Sequence, residues 1–581
     1  MPKQGKQNLI QGAAVLGIAM LVVKLLGAVF KITVLKQMDA SGSAYFNAAY
    51  NFFTPIYALA IGGLPTAIAR IVASLEEKGR FRDVKKTLRI SVSTMVVVGL
   101  VGSIAMAMIA RVYIHFSGVG GAYLATVMVA PALFFLCVTS ALRGYYEGLG
   151  NMRPTAISEV VEVIAKVVFG LVIVWVVIKI GNDQFAATGS VFGQQVVADR
   201  VGAVIMPYAA AAAVFGVTLS CVAGMFYMIV RYRKQGDGIT RKQLVEAPRS
   251  TNGNAILKEL VRIAIPISIG VFVLNLVTLI DTMTVTNIMN NSFTKNADKI
   301  TEIFGKLVPV EDFNADKFGT YIYGCFGYAF SVFNLIPAFT GIFAKSALPN
   351  VVRCWETRDR RGMKINVESG LRLASFIAIP AGIGLFVLAG PVLRLLYSDK
   401  AVEVYITTPA MELMGLAIIF LGIVTPAFAI LQAMNKAYVP VKLMVIGSVI
   451  KIAINQLMIG IPSVNLAGAA WGTLACYAYI FIASMYEIRK AAKIKINYMT
   501  VFIRPLIAGI ACGITAWQGY MLLAPNNGKP STIATLGSVV LAGGVYVVVL
   551  VLVKGISRDD LMMIPKGDKI AEKLEKMRLL G

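Results

Sequence analysis

Apolar runs of about 20 residues recur from one end of this chain to the other, and each is long enough for a helix rising ~1.5 Å per residue to cross a hydrocarbon layer about 30 Å thick. Lipid offers no hydrogen bonds to backbone amides, and the runs are far longer than the strands of a membrane barrel, so they must be helices. The expected fold is an all-α integral membrane protein. The 57% hydrophobic and 15% charged composition over 581 residues lies outside the range of soluble globular chains.

Apolar runs read against polar breaks place spans near 9–35, 46–73, 89–114, 122–142, 156–179, 203–230 and 259–288, then 319–351, 367–389, 405–432, 439–460, 467–488, 501–523 and 532–554. That makes about fourteen. The first run is too long for a signal-peptide core and lacks a small-residue cleavage site, so it reads as a span. Basic residues test the count, because positive charge concentrates in cytoplasmic loops. With the N-terminus inside, the cytoplasmic segments carry 37 of the 55 Lys and Arg and the opposite side 11. Both termini are then cytoplasmic, in a multi-pass protein of a bacterial plasma membrane. The net charge of +25 points to anionic membrane lipids as partners and not to nucleic acid.

An internal repeat is visible. Glu76 to Arg82 resembles Glu356 to Gly362 at an offset of 280, and Gly148 to Pro154 resembles Met434 to Pro440 at 286. Six spans per half is an even number, so the halves are expected to run in the same sense, as two six-helix lobes related by a pseudo-two-fold along the membrane normal plus two C-terminal helices. The domains read as 1–230 for the N-terminal lobe, 231–258 for a cytoplasmic linker, 259–488 for the C-terminal lobe, 489–554 for the two extra helices and 555–581 for a basic cytoplasmic tail.

Chemistry is sparse. Six scattered cysteines show no CxxC spacing and read as packing residues, and a lone histidine, His115, leaves no material for a His-based metal site or a catalytic triad. No metal site, catalytic residue or cofactor is expected, and no Walker A motif is present. Ionisable groups inside spans stand out instead, because each costs roughly 2.5–3.5 kcal/mol to insert. Seven basic residues fall there: Lys24, Lys31, Arg70, Lys166, Lys345, Arg372 and Lys451. Lys166 and Lys451 lie about 16 and 18 Å from the cytoplasmic starts of their spans, too deep to snorkel, and at matching places after Pro154 and Pro440. Glu159, Glu162 and Lys166 share one helix face; a Glu162–Lys166 ion pair is the plainer account of them. Lys24 and Lys31 form a stripe in span one. In span seven, Ser268, Asn275, Thr278, Asp281 and Thr282 form a polar line, with Asp281 and Asn275 the candidates for a coupling ion, Na+ or H+. Pro55, Pro65, Pro131, Pro266, Pro337, Pro380 and Pro426 are expected to interrupt spans.

The run Leu142-Arg143-Gly144-Tyr145-Tyr146-Glu147-Gly148-Leu149-Gly150-Asn151-Met152-Arg153-Pro154, continuing to Glu162, resembles the signature of the multidrug/oligosaccharidyl-lipid/polysaccharide exporter superfamily, in its stage V sporulation protein B and MurJ-type lipid II flippase branch. Gly62 to Arg70 and Lys24 to Lys31 fit the same branch. The resemblance implies a cavity between two lobes in which basic side chains meet the diphosphate and sugar of an undecaprenyl-linked precursor, moved by alternating access. Lys24, Lys31, Lys166, Lys451, Glu159 and Glu162 are the substrate-binding candidates. Span eight carries Tyr328-Ala329-Phe330-Ser331 where many lipid II flippases have Tyr-Ala-Asp-Arg. The expected function is therefore a flippase for a lipid-linked oligosaccharide. The rivals are a multidrug exporter of organic cations and a non-transporting partner of cell-wall or spore-envelope synthesis proteins.

Overall fold

The computed structural model describes residues 9–524 and 531–557, without the side chains of 9–16, 18, 274, 277, 338 and 342–349. Lys345 and most of the basic tail lie outside what is described. The helices in chain order are α1 (Leu9–Gln37), α2 (Ala40–Ile61), α3 (Leu64–Glu77), α4 (Phe81–Ser117), α5 (Tyr123–Gly148), α6 (Arg153–Thr188), α7 (Val201–Gln235), α8 (Arg241–Glu246), α9 (Gly253–Lys295), α10 (Ala297–Phe304), α11 (Phe318–Phe333), α12 (Leu335–Glu356), α13 (Arg360–Val387), α14 (Ala389–Leu396), α15 (Ala401–Ala433), α16 (Tyr438–Met458), α17 (Leu466–Ala492), α18 (Arg504–Leu523) and α19 (Thr532–Leu552). Thirteen helical stretches among the described residues, from Ala40 onward, are long and apolar enough to cross a membrane, and α1 precedes them as a 29-residue helix. A two-residue hairpin, Ser190–Val191 with Gln194–Gln195, is the single sheet among the described residues.

The chain divides into two compact units, residues 1–287 with 309–324 and residues 288–308 with 325–581. They part inside α9 and α11, not at the polar linker 231–258. In the first unit α4 packs on α5, α5 and α6 on α7, and α1 on α6; in the second α13 and α17 pack on α15, α16 on α17, and α18 on α13 and α19. All six cysteines are buried thiols, as packing residues should be.

Span two is two helices, not one. Gly62 and Gly63 separate α2 from α3, and Pro65 sits in the first turn of α3, where its missing N–H costs nothing. The break lets α9 approach closely: a Cβ on Gly63 would collide with the Ala264 carbonyl, and the Gly63 amide donates to Ser268 Oγ at 3.0 Å. Span eight breaks likewise at Asn334, ahead of Pro337. Pro55, Pro131, Pro266, Pro380 and Pro426 interrupt nothing, since their helices run through. Neighbouring helices and side chains re-satisfy the carbonyls that such prolines free.

The repeat is real at the level of turns, one residue from where sequence matching puts it. After α3, Gly79 takes φ +68° while the amides of Gly79 and Arg80 donate to the carbonyls of Glu76 and Leu75. After α12, Arg358 takes φ +55° with the same bonds from Arg358 and Asp359 to Trp355 and Cys354. Gly150 (φ +70°) after α5 and Asn435 (φ +58°) after α15 form a second matching pair, again with the same two bonds each. All four close their helices with a left-handed residue. Because the second copies lack glycine there, matching by residue type slips one position.

Candidate functional site

The first unit contains an aromatic ladder. Phe46, Tyr50, Phe53 and Tyr57 recur every three or four residues along α2 and so share one face, with successive ring centroids 5.7, 6.4 and 5.6 Å apart. Phe30 of α1 joins it, 6.3 Å from Phe46. Its ring packs closely on α6 because Gly170 has no side chain there; any Cβ would strike it.

One turn before Gly170, Lys166 enters this ladder. Its Nζ donates to Tyr50 Oη at 3.1 Å and stands 5.3 and 5.1 Å from the centroids of Phe30 and Tyr50. Two aromatic faces and a phenol thus hold the ammonium, an arrangement in which each cation–π contact contributes about 0.5–2 kcal/mol once desolvated.

Glu162, one turn nearer the start of α6, goes elsewhere. Arg143 of α5 donates through Nη2 to Glu162 Oε2 at 2.9 Å, and through Nε and Nη2 to Ser158 Oγ at 3.2 and 2.8 Å. Glu159 lies within electrostatic reach of the same guanidinium. Gly224 of α7 leaves room for the pair, since a Cβ there would sit 3.2 Å from Glu162 Oε2. In place of a Glu162–Lys166 ion pair, Arg143 pairs with Glu162 and the Lys166 side chain stands among aromatic rings. Arg143 was missed because its place near the end of a span reads as a loop charge. Its presence inside the signature Leu142 to Pro154 was the available signal, since a loop arginine needs no serine and glutamate at i+15 and i+19.

Of the other candidates, Lys31 lies within electrostatic reach of Lys166 and extends the basic group, while Lys24 is exposed on α1. Lys451, in α16 of the second unit, is 2% exposed and has its own partners. It follows the left-handed Asn435 by the same 16 residues that separate Lys166 from the left-handed Gly150, so the two lysines are equivalent in the repeat. Asn275 donates to the carbonyl of Val271 in its own helix, at 2.8 Å. Asp281 is 1% exposed beside a polar knot of the first unit, in which Tyr323 Oη meets Thr282 Oγ1 at 2.7 Å and accepts from Asn51 Nδ2 at 2.9 Å. In the second unit Ser331 Oγ bonds Tyr397 Oη at 2.7 Å, so a neutral serine–tyrosine pair stands where the Tyr-Ala-Asp-Arg pattern would carry an arginine.

A polytopic helical membrane protein with a buried lysine held among aromatic rings has the build of a transporter. A family model described as "Polysaccharide biosynthesis protein" matches residues 9–349, and one described as "Lipid II flippase MurJ" matches residues 326–523. The chain belongs to the polysaccharide biosynthesis protein family. It is 24% identical over 560 residues to the lipid II flippase MurJ of Bacillus subtilis (strain 168), covering 93% of this chain and 94% of that protein. It is 22% identical to stage V sporulation protein B of the same organism, covering 96% and 98%. Solved structures that share its fold include lipid II flippase MurJ in an inward closed conformation, with TM-score 0.60 and 15% identity over 92% of this chain and 98% of that one. An inward-facing MATE-family multidrug resistance transporter of the MOP superfamily matches with TM-score 0.59 and 12% identity, over 82% and 99%.

Proposed function

We propose that this protein flips an undecaprenyl-diphosphate-linked sugar precursor across the bacterial plasma membrane by alternating access, with both termini in the cytoplasm. The observation that carries this reading is the Lys166 ammonium held by Tyr50 and Phe30: Glu162 is bonded to Arg143, so Lys166 and Lys31 add positive charge beyond that pair, suited to a diphosphate. The aromatic ladder beside them suits the face of a sugar ring. Lys24 and Lys451 are further basic contacts in the proposal, Glu159 and Glu162 set the position of Arg143, and no covalent step is needed. Similarity to lipid II flippases over most of the chain supports the substrate class.

The test is precursor accessibility at the outer leaflet in cells that depend on this protein. Lys166→Ala should remove a charge-assisted contact worth about 1.5–3 kcal/mol, a loss of roughly 10- to 150-fold in flipping at unchanged protein level. Normal flipping in Lys166→Ala and Lys31→Ala cells sinks the site. Intact flipping together with altered efflux of organic cations would hand the protein to the multidrug reading, and flipping that never depended on the protein would leave a structural partner of envelope synthesis. Asp281, buried beside the Thr282–Tyr323 knot, is the proposed site for Na+ or H+ coupling. Asp281→Asn should abolish the dependence of flipping on an imposed ion gradient, and an unchanged gradient response removes Asp281 from that role.

A further inference from the structure

The start of α6, the end of α7 and the loop that follows enclose a cavity of about 1110 Å³ in the first unit, at the end of these helices that the charge rule places in the cytoplasm. Three basic side chains, Arg153, Arg231 and Lys234, are in its lining. Its two carboxylates are already engaged: Asp237 takes the Lys85 ammonium and accepts from Tyr145 Oη at 2.6 Å, and Glu76 has a partner of its own. Arg231 lies over the Tyr146 ring at 5.9 Å, and its Nη1 is buried with no hydrogen-bond partner among the described residues. A buried guanidinium nitrogen in that condition is short of an acceptor oxygen.

Apolar side chains line the same cavity. Ile157 and Phe226 line it and are 47% and 67% exposed. Ile157 also heads a stripe of exposed apolar side chains down α6, through Ile164, Val168, Val172 and Trp175, and such a face on a spanning helix belongs to lipid tails. Lys166 is two residues, or about 200°, from both Ile164 and Val168, so its aromatic cage lies on the far side of α6. A water-soluble phosphate has no use for the Ile157 and Phe226 side chains, and a neutral lipid has none for three cations.

We infer that this cavity binds an anionic phospholipid of the cytoplasmic leaflet, its phosphate held by Arg231, Arg153 and Lys234 and its acyl chains lying along Ile157 and Phe226. The segment from Asp237 to Gln243 also lines the cavity, and Tyr146 Oη anchors its start by donating to the Gly236 carbonyl at 2.7 Å. A bound lipid then bridges the signature turn at Gly150–Arg153 to the linker between the two halves of the sequence, giving that signature a role that substrate contact does not require. The inference stands apart from the flippase reading, because none of its residues belongs to the Lys166 cluster.

The experiment is saturable binding to the purified full-length chain, read by native mass spectrometry and by thermal shift, with phosphatidylglycerol, phosphatidylcholine, inorganic phosphate and undecaprenyl diphosphate as probes. Phosphatidylglycerol is expected to bind at least tenfold more tightly than phosphatidylcholine. Arg231→Gln and the surface substitution Lys234→Gln should each erase most of that preference, and Lys166→Ala should leave it intact. Lys234 is exposed, so its variant stays folded and keeps the test decisive if Arg231→Gln does not. Equal binding of the two phospholipids, or a preference that both Gln variants retain, overturns the site. Saturation by inorganic phosphate alone reassigns it to a soluble anion, and displacement of phosphatidylglycerol by undecaprenyl diphosphate reassigns it to the substrate; either result refutes the inference.

Discussion

Two cations that flank the face of α6, Arg143 and Lys166, have opposite roles here. Arg143 is 13% exposed and Glu162 24%, so each is largely desolvated and depends on the other. Removing one partner of such a pair strands a charge, at a cost of about 3–5 kcal/mol when fully buried and toward the lower end of that range here. Arg143→Met should therefore lower the amount of folded protein in membranes, and the added change Glu162→Gln should restore it; failure of that rescue would mean the pair is not what Arg143 stabilises. Lys166 hydrogen-bonds the Tyr50 hydroxyl and not a carboxylate. Lys166→Met should keep normal protein levels while flipping falls, the reverse of what a Glu162–Lys166 pair demands. The sequence showed that Glu159, Glu162 and Lys166 share a face, which helical periodicity alone decides. It could not show which cation reaches Glu162, because Arg143 comes from another helix and only packing of α5 against α6 brings it close. The Lys166–Lys451 equivalence was legible from spacing, whereas their different surroundings, an aromatic cage and full burial, were not.

Elements are where reading and structure differ most, and glycine explains why. Span two reads as one apolar run because Gly62-Gly63 is not polar, yet those residues allow the chain to part into α2 and α3 under α9. Gly63→Ala should destabilise the protein by roughly 1–3 kcal/mol, since its methyl group meets the Ala264 backbone and not a side chain that can turn away. Gly120→Ala, which meets nothing within 4 Å, is the matched control; equal thermal midpoints for the two variants would show that the close approach carries no constraint. The left-handed turns argue the converse. Arg358 holds φ +55° where its repeat partner is Gly79, and left-handed backbone costs a non-glycine residue about 1–2 kcal/mol. Arg358→Gly should raise the thermal midpoint by the equivalent of about 0.5–1 kcal/mol after the extra unfolded-state entropy of glycine is subtracted. A lowered midpoint would mean that the arginine side chain contributes more than its backbone loses.

At the scale of the whole chain, the count of crossings carries the argument. Hydropathy alone places the spans, because lipid forces every spanning backbone into helix, and that is why the fold class was legible from composition and run length. Loop charge supplies an expected orientation from a different cause: positive segments resist translocation. The turn at Gly79 and its repeat at Arg358 are separated by six crossings, made by α4, α5, α6, α7, α9 and the broken span α11–α12. Gly150 and Asn435 are likewise six crossings apart, across α6, α7, α9, α11–α12, α13 and α15. An even count returns the chain to the same side each time, so all four turns should lie on one face of the membrane and the loops at Gly120 and Asn314 on the other. Cysteine accessibility decides this cleanly, because all six native thiols are buried and background labelling is low. Single cysteines at Gly79, Gly150, Arg358 and Asn435 should resist an impermeant reagent added to intact cells and react once the membrane is opened. Those at Gly120 and Asn314 should react from outside. A mixed result within either group would mean that one of the broken spans, α2–α3 or α11–α12, turns back without crossing, which would reverse the sense of everything after it.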